Sequence, residues 1–435
     1  MRTQMSRSCP GQPRAGPAGA VRGGGAALLV AGIILLAVNM RTAISSLPPL
    51  FPQLHTTMHL SSAGQAARAA CPVLCFGVFS GIGAPLARRY GEERVLGAAL
   101  VLLAAGLVVR GVAPGVGLFP GTVIAGGAIA LLNVLTGSLI KRRRPDRAGL
   151  LIGLYLMGLS AGAIVASLIA VPVFSAAGGG ATSVRITLGL WAVPALLAAA
   201  LWAPQLRYRA PPALAANLPG AGTGTGGGVS VLARSALAWQ VTAFLGLQSL
   251  TYYATLSWFP TLFQDRGASA LHAGALLAVM NLGNGVTALL VPVLAHRLPD
   301  QRLLAAGAMI ITGAGLAGAA FAPLGAAAAF IFLLGLGQGA SLGLGIFYTV
   351  ARAPDSVTSA SLSAFAQSLG YLLASTGPLL LGILHTVTGG WDIPVWVLLG
   401  VVALQLITGW LAGRSQLVPP VAGGSDARVR VAFAP

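Results

Sequence analysis

The sequence predicts an all-α integral membrane protein with twelve transmembrane helices in two pseudo-symmetric six-helix halves. Three observations predict this fold class. The 435 residues are 56% hydrophobic and only 8% charged, which is far from the composition of a soluble globular domain. Apolar runs of about 20 residues, the length that crosses a bilayer as a helix, recur along the chain. Motifs of the first half also return in the second half at a nearly constant spacing.

The apolar runs form two groups of six, separated by a polar stretch. Residues 1–25 are rich in glycine, proline and arginine and are expected to be a disordered tail. The apolar run that follows has no clear cleavage site of a signal peptide and is expected to be a retained first span. Residues 205–237 contain a glycine-threonine run and are expected to be a flexible linker, and residues 413–435 form a polar tail. The two halves are predicted at 26–204 and 238–412, with spans at about 26–48, 63–86, 95–113, 117–140, 149–173 and 186–204, then at about 238–263, 272–295, 303–321, 325–349, 360–385 and 393–412.

The distribution of positive charge predicts the orientation. With the amino terminus in the cytoplasm, the cytoplasmic loops and tails hold 21 Lys and Arg residues, whereas the outer loops hold only Arg110, Arg185 and Arg266. Lys and Arg accumulate on the cytoplasmic side of membrane proteins. We therefore expect a monomeric multi-pass protein of the cytoplasmic membrane with both termini inside. Because the charge sits in short loops between spans, the net charge of +18 does not indicate a nucleic-acid partner.

An internal repeat supports the division into halves. At an offset near 208 residues, LARR at 86–89 matches LAHR at 294–297, and RRPD at 143–146 resembles RAPD at 352–355. Two parallel repeats of six spans are an architecture of secondary transporters, whose substrate site lies near the midplane between the repeats. The repeat therefore predicts a central cavity between the halves.

Arg41 is the strongest candidate for contact with a substrate. It lies within the first apolar run, where a charged side chain costs about 2.5–3.5 kcal/mol and usually faces a cavity. Its planar guanidinium suits carboxylate, cyanate or nitro oxygens. At an offset of 211 residues Arg41 corresponds to Tyr252, so both are predicted to line the cavity. The alternatives are a structural arginine bonded to backbone carbonyls near Pro48-Pro49, or one that extends to the outer surface.

Other polar residues on apolar spans are further candidates. Tyr252 follows Gln248 by four residues and Asn284 follows Asn281 by three, so each pair shares a helical face. Such stripes line cavities or form hydrogen bonds between helices, and the sequence leaves both roles open. The complete set of predicted substrate-binding residues is Arg41, Asn39, Asn133, Gln248, Tyr252, Tyr253, Asn281, Gln338, Gln367 and Tyr371.

Several types of chemistry are not indicated. All eight acidic residues fall in predicted loops or tails, so a carboxylate-driven proton antiporter for cations is not expected. Cys9, Cys71 and Cys75 have no partners at metal-binding spacing, and neither a metal nor a cofactor is predicted. A membrane enzyme would need clustered catalytic groups, and a channel usually assembles rings of like residues from several subunits. No apolar run carries such a cluster, so we expect that the protein is not an enzyme, and the repeat of six spans argues against a channel.

Certain motifs carry a resemblance to a known family. The segment GAPLARRYG at 83–91 resembles the signature of the loop between the second and third spans of the major facilitator superfamily, but has Arg88 where many members carry Asp. NMRTAI at 39–44 and AQSLGY at 366–371 resemble its cyanate-permease-like and 2-nitroimidazole-exporter-like branch. The resemblance extends over residues 26–412. It implies the major facilitator fold, with gating positions Gly83, Arg88, Arg89 and Gly91.

The predicted function is therefore transport of a small anionic or polar organic solute, similar to cyanate, by alternating access. The expected partners are this solute and the lipid bilayer. An alternative is export of small neutral toxic compounds such as nitroimidazoles, which carry strong hydrogen-bond acceptors without a net charge. The single intramembrane Arg41 without a predicted acidic partner favours an anion or a strong acceptor over a cation.

Overall fold

A computed structural model describes residues 23–58, 62–144, 147–207 and 230–421, and all regular structure in these ranges is helical. Most of the predicted amino-terminal tail and of the predicted linker lies outside these ranges. The first half contains α1 (Gly23–Ser45), α2 (Phe51–Met58), α3 (Ser62–Tyr90), α4 (Glu92–Val112), α5 (Pro114–Arg143), α6 (Ala148–Ala176), α7 (Ala181–Gly189) and α8 (Ala192–Trp202). The second half contains α9 (Ala236–Asp265), α10 (Ala270–His296), α11 (Arg302–Phe321), α12 (Ala327–Ala351), α13 (Ser356–Thr388) and α14 (Asp392–Ala412).

The helices agree with the predicted spans except at two proline-containing breaks. The first span ends at Ser45, and a 3₁₀ turn at Pro48–Leu50 leads into α2. The predicted span 186–204 consists of two helices, α7 and α8, interrupted after Gly189. Pro194 lacks a backbone N–H and its ring crowds the carbonyl of Leu190, so a continuous helix cannot pass this point without a kink.

Eleven helical stretches of the described chain are long and apolar enough to cross a membrane. The seventh predicted span, α9, is not among them although it has 30 residues. Its hydropathy is lowered by hydroxyl, amide and aromatic residues such as Gln248, Thr251 and Thr255, all of which are buried against other helices. Long helices inside a bundle tolerate such groups because protein rather than lipid surrounds them.

The two halves repeat the same helix packing. In the first half, α1 contacts α6 and α8, α3 contacts α5, and α4 contacts α5 and α8. In the second half, α9 contacts α13 and α14, α10 contacts α12, and α11 contacts α12 and α14. The halves meet through two reciprocal pairs, α3 with α13 and α6 with α10. We call the end of the bundle where α1 begins and α14 ends the terminal face, and the opposite end the distal face.

The halves touch on both sides of the bundle centre. Toward the terminal face, the hydroxyls of Ser80 and Ser368 lie 3.1 Å apart across the α3–α13 contact. Toward the distal face, a Cβ atom added at Gly274 would lie 2.6 Å from the carbonyl oxygen of Ser167 across the α6–α10 contact. Glycine is required there because any side chain would separate the two helices. The structure is therefore closed at both faces.

The signature at residues 83–91 is helical rather than a loop, which corrects the prediction. Helix α3 continues through Tyr90, and only Gly91, with φ of 88°, separates it from α4. Glu92 and Glu93, predicted in the same loop, begin α4 and are buried. Arg142 at the end of α5 lies 2.9 Å from Glu92 and 2.7 Å from Glu93. Because each buried charge has an oppositely charged partner, the cost of removing it from water is offset. The ion pairs connect α4 to α5 at the terminal face.

Two further segments differ from expectation. Arg110, predicted in an outer loop, lies in the last turn of α4 and is 2% exposed. The predicted polar tail begins with a segment, residues 413–421, that folds back onto the terminal face. There the N–H of Val418 donates to the carbonyl of Arg352 over 2.8 Å, and the Val418 side chain is buried. The apolar residues of this segment explain why it packs against the bundle.

Candidate functional site

Arg41 lies at the interface of the two halves, near the middle of the bundle. Its Nη1 atom donates to the hydroxyl of Tyr253 over a long 3.4 Å contact. Its Cζ atom lies 5.0 Å from the ring centroid of Tyr252 and 5.7 Å from that of Tyr253. Arg41 thus contacts Tyr252, the residue at the corresponding position of the repeat, because α1 and α9 occupy equivalent positions in the two halves.

Arg41 has no acidic partner among the described residues. The ion pairs in this part of the chain involve Arg142 and Arg143 with Glu92 and Glu93, and an exposed pair of Arg302 with Asp300. The guanidinium of Arg41 contacts the rings of Tyr252 and Tyr253 and the hydroxyl of Tyr253. Ring faces attract a cation, but they do not neutralise it, so an anion or a strong acceptor would be attracted to this position.

Two small cavities flank Arg41. Their volumes are about 10 and 20 Å³, room for about one water molecule each. The α10-side cavity is lined by Arg41, Leu156, Leu159, Ser160, Tyr252, Asn281, Asn284, Ala288 and Leu342. The α13-side cavity is lined by Met40, Arg41, Ile44, Phe76, Ile129, Asn133, Leu159, Tyr253 and Tyr371. An organic solute exceeds either volume, so admitting one requires the halves to move apart.

Two asparagines that were predicted to bind substrate accept hydrogen bonds from tyrosine hydroxyls. Tyr252 donates to Oδ1 of Asn281 over 2.8 Å, and Tyr155 donates to Oδ1 of Asn133 over 2.8 Å. The acceptors of both amides are therefore used within the protein. The donors of Arg41 remain the main polar groups offered to a ligand, and the site is suited to groups that accept hydrogen bonds.

An aromatic wall closes the α13-side cavity. Phe76 contacts Tyr253 and Tyr371 edge to face, with ring centroids 6.2 and 5.6 Å apart. The sequence analysis did not identify Phe76, Tyr155 or Ser160 as site residues. Tyr155 carries the clearest missed signal, a tyrosine within the apolar span α6. A phenylalanine or serine on an apolar span cannot be distinguished by sequence from an ordinary packing residue.

Four predicted residues lie away from both cavities. Asn39 donates to the carbonyls of Leu35 and Pro194 over 2.8 and 3.1 Å, which connects α1 to α8. Gln248 and Gln338 connect α9 and α12, since Gln248 donates to the Gln338 carbonyl over 3.3 Å. Gln367 donates to Ser363 within α13. Asn39, Gln248 and Gln338 thus form hydrogen bonds between helices, the alternative that the sequence analysis left open, whereas Gln367 bonds within its own helix.

The predicted gating positions also lie outside the cavities. Gly83 and Arg89 are on the last turns of α3 at the terminal face. The Cζ atom of Arg89 lies 5.3 Å from the ring centroid of Tyr90. Gly91 forms the turn into α4. The side chain of Arg88 lies outside the described part of the structure.

Two halves with the same helix packing, with an arginine beside the cavities at their interface, are the arrangement of a membrane transporter. The chain belongs to the Major Facilitator Superfamily, whose sequence profile matches residues 29–378. It is 38% identical over 392 residues to the 2-nitroimidazole transporter of Escherichia coli (strain K12), covering 89% of this chain and 96% of that protein. It is 28% identical over 379 residues to the cyanate transport protein CynX of the same organism, covering 86% and 95%. These matches confirm the resemblance to this branch.

The fold agrees with solved transporter structures. A D-xylose–proton symporter superposes with a TM-score of 0.70 at 17% identity, covering 92% of this chain and 98% of that chain. A bacterial homologue of the human lysosomal transporter Spinster, in an inward-facing and occupied conformation, gives a TM-score of 0.70 at 16% identity, covering 91% and 98%. At this identity the likeness establishes the fold and carries no information on the substrate.

Proposed function

We propose that this transporter moves a small anionic or polar organic solute with strong hydrogen-bond acceptors, similar to cyanate, by alternating access. The single observation that carries the proposal is Arg41, a cation at the interface of the halves with no carboxylate partner in the described chain. A cationic solute would meet this charge without compensation. The 28% identity to a cyanate transport protein is consistent with the proposal.

A second candidate function is export of neutral nitroheteroaromatic compounds. It is favoured by the aromatic wall of Phe76, Tyr253 and Tyr371, against which a flat ring can stack. The 38% identity to a 2-nitroimidazole transporter favours it too. A nitro group accepts hydrogen bonds from a guanidinium as a carboxylate does, so both candidates use Arg41.

We further propose that the protein acts as a monomer in the cytoplasmic membrane with its terminal face in the cytoplasm. The excess of Lys and Arg in loops predicted on that side supports the orientation. The orientation can be tested with a cysteine introduced at Arg185, which is exposed in α7 at the distal face. Intact cells are treated with a thiol reagent that does not cross the membrane. Labelling from outside is expected, and labelling only after lysis would reverse the orientation.

Counterflow uptake into proteoliposomes tests the substrate. The probes are cyanate, nitrite, acetate and 2-nitroimidazole, and the proteins are wild type, Arg41→Gln, Arg41→Lys and, as a control, Arg185→Gln. Loss of a hydrogen bond to a charged group is expected to reduce kcat/KM for an anion at least about tenfold in Arg41→Gln. Arg41→Lys should retain part of the activity, and Arg185→Gln all of it.

Each outcome distinguishes between the candidates. Uptake of an anion that fails only in Arg41→Gln supports the primary proposal. Uptake of 2-nitroimidazole alone supports the second candidate. Unchanged uptake by Arg41→Gln would contradict a binding role for Arg41, and the residue would then be structural.

A further inference from the structure

Asn281 and Asn284 lie on one face of α10 and line the same cavity, but their hydrogen bonding differs. Asn281 is 2% exposed and both polar atoms of its amide are hydrogen-bonded, because its Oδ1 accepts from Tyr252 and its Nδ2 donates to the Leu277 carbonyl over 2.8 Å. Asn284 is 7% exposed, and its Nδ2 has no hydrogen-bond partner in the described structure. Such a donor normally finds a partner when it is buried.

The position of Asn284 makes the missing partner informative. Its carboxamide lines the α10-side cavity together with Arg41, which belongs to the other half of the protein. The χ2 angle of asparagine is broad, so the amide can turn either of its polar atoms toward a ligand. A group that is both buried and unpartnered in the closed structure is available to a molecule that enters the cavity.

We propose that Asn284 is the second ligand-binding group of the site, and that a bound solute bridges Arg41 of the first half and Asn284 of the second. This inference rests on the proposed function. It narrows the substrate class to solutes with two acceptor atoms, such as a carboxylate, a nitrite or a nitro group, one for each donor. Asn281 is then a positioning residue, which holds the Tyr252 ring beside Arg41.

A solute that contacts both halves would also affect the conformation of the protein. Arg41 and Tyr253 form a hydrogen bond between side chains of the two halves beside the two cavities. A solute held by Arg41 and Asn284 adds a second cross-link between the halves. The loaded protein can then close around the solute more readily than the empty one.

Stability in the absence of ligand gives a test that does not depend on the substrate. Leucine has the same branched arrangement of four side-chain heavy atoms as asparagine and no polar atom. An unsatisfied buried amide is costly, so Asn284→Leu is expected to raise or preserve the melting temperature in detergent. Asn281→Leu is the matched control on the same face. It is expected to melt lower than wild type, because it leaves the Tyr252 hydroxyl without its acceptor.

Counterflow with nitrite and 2-nitroimidazole completes the test, with imidazole as a probe that lacks the two oxygens. Asn284→Leu is expected to lose about tenfold in kcat/KM for the two oxygen-bearing probes, the equivalent of one hydrogen bond of ordinary strength. The effects of Asn284→Leu and Arg41→Gln should be non-additive in the double variant, because both residues contact one ligand.

The results separate the two proposals. Wild-type transport that Arg41→Gln abolishes and Asn284→Leu leaves intact overturns the bridging inference and leaves the proposed function standing. A lower melting temperature of Asn284→Leu also overturns the inference, because the amide would then be an ordinary structural group. If the wild-type protein moves none of the probes, the proposed function is contradicted. The comparison of melting temperatures then still decides whether the Asn284 amide lacks a partner within the protein.

Discussion

Arg110 donates from its Nη1 atom to the carbonyl oxygen of Ala43 over 2.8 Å. Ala43 lies two residues after Arg41, where α1 is about to end and its last carbonyls have no partners within the helix. A cation at this end also interacts favourably with the helix dipole. Arg110 therefore fixes the end of α1, the helix that carries the central arginine.

Replacing Arg110 by leucine should destabilise the protein by about 1–3 kcal/mol, because a buried carbonyl would lose its donor. The measurement is the melting temperature in detergent, followed by tryptophan fluorescence. Arg185→Leu is the control, since Arg185 is exposed at the distal end of α7, and its effect should be within about 0.5 kcal/mol. Equal effects of the two substitutions would contradict the role of Arg110.

Tyr252 and Tyr253 should respond differently to loss of their hydroxyls. Tyr252→Phe removes a 2.8 Å bond to Asn281 and leaves a buried acceptor unpaired, whereas Tyr253→Phe removes only a 3.4 Å contact to Arg41. We expect Tyr252→Phe to raise KM for the transported solute about threefold to tenfold, through loss of about 1 kcal/mol of positioning. Tyr253→Phe should change KM less than twofold, and the reverse order would contradict this account.

Opening of the two faces should be separable by substitution at close contacts. A Cβ atom at Gly77 would lie 2.7 Å from the side chain of Leu372 and 3.0 Å from its backbone nitrogen. Gly77→Val should therefore separate α3 from α13 and open the terminal face. A cysteine at Ser368 would then react faster with a maleimide, measured in a variant without the native cysteines.

The matched control lies one turn further along the same helix. A Cβ atom at Gly81 would meet nothing within 4 Å, so Gly81→Val should leave the labelling rate unchanged. Gly274→Val, whose added atoms would meet the carbonyl of Ser167, should open the distal face and not accelerate labelling at residue 368. Equal acceleration by all three substitutions would indicate general loosening of the bundle rather than gating.

Asp355 provides a prediction of pH dependence. As the N-cap of α13, its carboxylate accepts from the N–H and the hydroxyl of Thr358, each over 2.8 Å. The N–H bond of Thr358 lowers the pKa of Asp355 below its ordinary value. A lowered folded pKa means that the stabilisation is complete above the unfolded pKa of about 3.9 and is lost as the pH falls through the folded value.

Asp355→Ala should therefore lower the melting temperature at pH 7, at a cost of about 1 kcal/mol for the lost cap, and this difference from wild type should shrink toward pH 3. Asp355→Ser retains a capping oxygen that does not titrate, so its stability relative to alanine should not vary with pH. A constant difference between wild type and Asp355→Ala over this range would contradict the assignment.

Length, hydropathy and an internal repeat in the sequence were sufficient to predict most of the helices and the two halves, and they marked Arg41 as a candidate for contact with a substrate. In a bilayer each span must satisfy its own backbone hydrogen bonds, so length and hydropathy define it. Charge is costly there, so an arginine within an apolar run is conspicuous. The prediction of one continuous span at 186–204 was wrong because hydropathy does not record the effect of proline on local geometry, which separates α7 from α8.

The sequence did not reveal which polar side chains face the cavity and which connect helices, because this depends on how the helices pack. Asn39 and Asn133 look alike in the sequence, but one bonds to α8 and the other lines the site. Asn281 and Asn284 share a helical face and differ only in whether a neighbouring helix supplies a partner. The physical reason is that the rotation of each helix about its axis is set by packing against its neighbours. Hydrogen-bond partners are set by the same contacts, and no single span encodes them.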